Sequence, residues 1–167
     1  MNGSMRGSLA LLFAAVVAGC PYSSRVPLAE PDGNALEDRL IGQWVGVDSN
    51  GDSLQIAVFP FNQTEYYAEL REPSGDRTGY RAFAFDVGGE RLLHINELTT
   101  TRTEAEYVLG RCAFAGDSEL TLRFIGDQIV PKALAEDPQA LSAFLKEHLA
   151  DPTLNDGDTE LALRRSK

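Results

Sequence analysis

The chain has 167 residues, 43% of them hydrophobic and 24% charged, with 25 acidic side chains against 15 basic ones and a formal net charge of −10. So acidic a surface repels phosphate backbones and anionic lipid heads, which argues against nucleic acid as a partner and against charge as the means of holding the protein to a membrane. The length suits one domain, long enough to bury about 70% of the surface its unfolded chain exposes without a disulfide staple.

Met1 to Ser8 is a short polar run carrying Arg6, followed by ten uninterrupted apolar residues, Leu9 to Ala18, and then Gly19 and Cys20. The run is too short to span a bilayer as a helix, and its order of cation, apolar centre and small-residue end is that of an export signal. Its close, Val17-Ala18-Gly19-Cys20, resembles the lipobox of bacterial lipoproteins. The resemblance implies cleavage before Cys20, a diacylglyceryl group on its thiol, fatty acyl chains such as palmitate, and retention on a membrane. At about 0.8 kcal/mol per buried methylene one chain anchors marginally, whereas two or three hold stably. In that family the residue after the cysteine helps sort between membranes. Here it is Pro21 and not the retention-type aspartate, so the expected location is the outer membrane of a bacterial cell envelope, facing the periplasm. Residues 1–19 carry Arg6 as their only charge, so the remaining 148 residues have a net charge of −11.

Residues 20–37 contain Pro21, Pro27 and Pro31 and no hydrophobic period. They read as the lipidated cysteine and a flexible tether reaching on the order of 20 to 25 Å, with Val26 and Leu28 available as an edge strand instead. Residues 38–167 form the folded domain. From Ile41 onward, alternating apolar residues separated by turn chemistry predict strands at Trp44 to Val47, Leu54 to Val58, Tyr66 to Arg71, Tyr80 to Val87, Arg91 to Leu98, Glu106 to Phe114 and Leu120 to Phe124. Gly88-Gly89 reads as a two-residue hairpin. The period then changes: Leu141, Phe144, Leu145, His148 and Leu149 recur at helical spacing, with Asp137 as N-cap, Pro138 at the first position and Pro152 as the stop. A last strand, Thr159 to Arg165, follows the turn Asn155 to Asp158. The expected fold is mainly β: a single antiparallel meander of about eight strands closing into a small barrel, with one helix before the last strand.

Gly42-Gln43-Trp44, at the start of the first strand, is similar to the GxW of lipocalins. The resemblance implies that Trp44 plugs the barrel base and that a basic residue of the last strand stacks on it. Arg165 is the matching residue. The helix precedes the final strand here, where lipocalins place it after.

Chemistry-bearing patterns are few. The chain has no GxSxG, HExxH, P-loop or glycine fingerprint. His94 and His148 have no ligand spacing and read as partly exposed residues on a strand and a helix. Asp48, Asn50 and Asp52 resemble a calcium loop, but Ser53 and Phe59 stand where that loop needs Gly and Glu, so a hairpin turn is the better account. Glu97, Glu106 and other carboxylates are scattered, with nothing to select an acid and base pair. If Cys20 is lipidated, Cys112 is left without a partner, and its neighbours Val108, Gly110 and Phe114 place it as a small hydrophobe on an apolar strand face. No catalytic residue, cofactor or metal is expected, with Cys20 as the one assigned site, for lipid attachment. Phe83, Phe85, Leu93, Ile95, Leu122 and Phe124 on inner faces fill a narrow bore, which favours a non-enzymatic envelope lipoprotein that docks a protein partner. The alternative is a lipocalin-like carrier of a small apolar ligand held at the mouth among Tyr66, Tyr80, Phe83 and Phe85.

Overall fold

A computed structural model of the protein describes residues 21–31, 34–47, 51–98, 106–154 and 160–166. The export signal, Cys20 and the turns at 48–50 and 155–158 lie outside the described residues. The described residues form nine strands: β1 (Ser23–Ser24), β2 (Gly42–Val47), β3 (Ser53–Pro60), β4 (Glu65–Arg71), β5 (Arg77–Val87), β6 (Glu90–Glu97), β7 (Tyr107–Ala115), β8 (Glu119–Phe124) and β9 (Glu160–Arg165). β2 to β9 pair antiparallel, each with the next in sequence, and β9 returns to β2, so the meander closes on itself as an eight-stranded barrel. Closure removes the unpaired edges that an open sheet of this length would expose. The β5–β6 hairpin turns on Gly88 and Gly89, both at positive φ (61° and 85°), the conformation a two-residue hairpin requires.

β1 lies outside the barrel. Ser23 and Ser24 pair with Val108 and Tyr107 at the end of β7 that β8 does not cover, and the Tyr22 N–H donates to the Ile125 carbonyl at 2.7 Å. Residues 21–31, expected as part of a tether, are thus laid against the domain, with Tyr22 and Ser24 buried. The edge-strand reading placed the strand at Val26 and Leu28; the pairing falls three residues earlier.

The helix α1 (Pro138–His148) is capped by the Asp137 carboxylate, which accepts from the Gln139 and Ala140 amides at 3.1 and 3.0 Å. Leu141, Leu145 and Leu149 are buried in its stripe. They pack with Phe85, Val87, Leu92 and Leu109 on the outer face of β5, β6 and β7 and with Ile125, which follows β8. The helix therefore covers one flank of the barrel and leaves both barrel ends to other residues.

Two cores result. One is the layer between α1, the N-terminal segment and the barrel wall. The other is the barrel interior, built on Trp44, Leu54, Tyr66, Ala82, Leu93 and Leu163. β5 serves both, and this corrects the expected interior. Tyr80, Ala82 and Ala84 point in, whereas Phe83, Phe85 and Val87 point out beneath the helical layer. Two of the six large side chains expected to fill the bore are outside it.

Candidate functional site

The barrel base is built from the chain that enters β2. A short 3₁₀ turn, Asp38–Leu40, crosses beneath the strands. Its Leu40 carbonyl accepts from the indole N–H of Trp44 at 2.9 Å, and the Glu37 amide donates to the Tyr66 hydroxyl. Trp44 is 1% exposed and stands opposite Arg165 in the β2–β9 register. The Arg165 guanidinium lies 4.5 Å from the Trp44 ring centroid. It also donates to the carbonyls of Ile41 (2.8 Å), Arg39 (2.7 Å) and Asp117 (2.9 Å), tying the last strand to the base turn and to the β7–β8 hairpin. Gly42 is at φ 143°, and a Cβ there would stand 2.3 Å from Arg165 Nη1, so the guanidinium occupies space that only glycine leaves free. The expected contact of Trp44 with Arg165 is present. A double-mutant cycle on Trp44→Leu and Arg165→Met should give a coupling of about 0.5 to 2 kcal/mol in thermal unfolding; additive losses would remove the stacking from the account.

Above this plug the barrel is hollow. A cavity of about 160 Å³ runs from Trp44 and Leu40 at the base to Pro21, Leu70 and Phe124 near the other end, with a wall that is almost wholly apolar. It exists because the inner positions of several strands are small: Gly46, Ala68, Ala82, Ala84 and Gly110 sit where larger residues would meet across the bore. Tyr66 and Tyr80, expected at a binding mouth, do line it; Phe83 and Phe85 do not. Cys112 lines it as well, on the apolar face expected for it, and burial pushes its thiol up to about 12, so it stays protonated and unreactive at neutral pH.

Neither histidine has a metal-site arrangement. His94, expected to be partly exposed, is 1% exposed. Its ring lies between Phe83 (5.0 Å) and Phe85 (4.5 Å) and meets Tyr107 edge-on at 5.7 Å. Its Nε2 accepts the Leu28 N–H at 2.8 Å, so His94 clasps the N-terminal segment to the barrel wall. His148 Nδ1 is bonded to the Phe144 carbonyl within α1, and the Phe144 ring stacks on it at 4.1 Å. Among the described residues no cluster of His, Cys, Asp or Glu is suited to a metal ion.

The inner wall was readable from alternation on β3, β4, β6 and β8. On β5 the small inner residues are hidden in the sequence by their larger neighbours Phe83 and Phe85, which face out. Comparison of the chain with protein-family models, with curated proteins and with solved structures finds no match in any of the three.

Proposed function

We propose that this domain is a non-enzymatic carrier of a small apolar ligand, held to the bacterial envelope by acyl chains on Cys20. The hollow interior carries the reading: a wall without charge, closed at one end by Trp44 and Arg165, is suited to take a neutral or largely apolar group out of water. The lipocalin-like base is consistent with it. The protein-docking reading rested on a filled bore, and the small inner residues of β5 remove that support.

Toluene tests the bore, since a cavity of about 150 Å³ lined by aliphatic and aromatic groups holds a benzene ring. Toluene should raise the unfolding temperature of the purified protein. Ala82→Leu, which places extra methylenes in the bore, should abolish that shift while unfolding at or above the wild-type temperature without ligand. A toluene shift that survives Ala82→Leu, or its absence in wild type, overturns the carrier reading.

The anchor is tested separately. Cys20→Ser should leave an unprocessed or soluble periplasmic form whose domain still folds, because Cys20 precedes the first residue of the barrel layer. A variant cleaved and bound to membranes to the wild-type extent would refute lipidation.

A further inference from the structure

The rim of the bore carries polar groups with nothing to bind. Tyr80 is 8% exposed and lines the cavity, yet its hydroxyl forms no hydrogen bond among the described residues. Glu97 stands directly opposite Tyr80 in the β5–β6 register, which puts the two side chains on the same inner face with Cβ atoms about 4.5 to 5.5 Å apart. Glu72, at the start of the β4–β5 turn, is close enough to act on the same phenol, and its Oε1 is buried with no partner. Neither carboxylate has a cation beside it among the described residues. The guanidiniums nearest Glu72 in the chain, Arg71 and Arg77, turn to Glu69 on the outer face at 3.4 and 3.6 Å. Burial raises Glu97 above the usual carboxylate range, and burial with the two carboxylates pushes the Tyr80 phenol up.

Two carboxylates and a phenol oxygen, none of them accepting from a described residue, at the opening of an apolar cavity define the head group that suits it. An ammonium supplies three N–H donors and a positive charge; an alcohol supplies one donor and leaves the carboxylates unpaired; a carboxylate is repelled. We propose that the bore takes a small apolar amine, its ring or short chain inside the barrel and its protonated amino group held at the rim by Glu97, Glu72 and the Tyr80 hydroxyl. This rests on the reading of the bore as a ligand cavity and narrows its ligand to one chemical class. The tail is limited to roughly a benzene ring or a chain of similar volume.

Four probes that share one ring separate the two claims: toluene, benzyl alcohol, benzylamine and benzoate, titrated calorimetrically into the purified protein. Salt of about 0.5 M screens the general attraction of cations to an acidic surface and leaves a desolvated rim contact largely intact. Benzylamine should bind at least about tenfold more tightly than benzyl alcohol, the worth of a charge-assisted hydrogen bond, and benzoate should bind most weakly. Glu97→Gln should bring benzylamine to within about twofold of benzyl alcohol while leaving toluene unchanged. Tyr80→Phe gives an independent variant and should weaken benzylamine more than toluene. If benzyl alcohol equals benzylamine in wild type, or Glu97→Gln keeps the preference, the amine assignment fails and the bore stands. If none of the four binds, the bore reading fails and the amine assignment with it.

Discussion

Acidification from pH 6.5 to about 3 should remove roughly 4 to 5 kcal/mol of stability through His94 alone. Burial holds its imidazole down to about 3, against 6.5 for the free side chain. Between those values the unfolded chain takes up a proton that the folded chain refuses, so stability is full above 6.5 and falls by about 1.4 kcal/mol per pH unit until the folded site titrates. The structural reason is specific. Nε2 already accepts the Leu28 N–H, so it has no room for a proton, and Nδ1, which must carry the ring proton, has no partner to stabilise a charge. Protonation therefore sets an N–H against the Leu28 N–H and loosens residues 21–29 from the wall. The decline between pH 6.5 and about 5 belongs to His94, because ordinary carboxylates titrate lower, Glu37, held down to about 2 by Arg39, lower still, and Glu97, raised by burial, acts in the opposite direction. His94→Phe should be less stable than wild type at pH 7.5 by about 1 to 3 kcal/mol, having left the Leu28 amide unpaired. It should lack the slope, so that the two stability curves converge or cross near pH 5. Urea unfolding at pH 7.5, 6, 5 and 4 measures this, and parallel curves for the two proteins would refute it.

The barrel was legible in the sequence because its strands alternate and its turns are marked. Trp44 and Arg165 could be paired before any coordinates, since closure forces the first and last barrel strands together. The bore was not legible, and β5 shows why. Its run Tyr80 to Val87 places aromatic residues at 83 and 85 and alanines at 82 and 84. Large residues on one face normally mark the core, and here they do mark a core, but the one outside the wall. A strand buried on both faces has no polar face to fix which side is in. Residues 21–31 escaped for a related reason. They are held by the two-residue ladder of β1, by single bonds from the Tyr22, Arg25 and Leu28 amides and by isolated side chains, all too short to leave a period. His94 then looked half-exposed because the strap that covers it was not visible as structure. At the rim, Glu97 was one carboxylate among 25 acidic residues until register placed it beside Tyr80.

Truncation of Leu145 to alanine should cost about 2 to 5 kcal/mol, the largest loss expected from any single change on α1. Leu145 is 0% exposed and lies in the middle of the stripe, between Leu141 (1%) and Leu149 (5%). Close-packed interiors collapse only partly around a deleted side chain, so the loss combines the missing transfer energy with a residual void. Phe144 provides the contrast. It is half-buried, stacks on His148 along the helix and only flanks the buried cluster, so Phe144→Ala should cost about 1 to 2 kcal/mol, well below a core aromatic. Since α1 covers the flank and leaves the bore alone, neither change should alter toluene binding once compared at a temperature where both variants are folded. Chemical denaturation with and without toluene reads both quantities. A Leu145→Ala loss below about 1 kcal/mol would mean that the helix is not docked as described, and an unchanged fold that no longer binds toluene would make α1 part of the ligand's path.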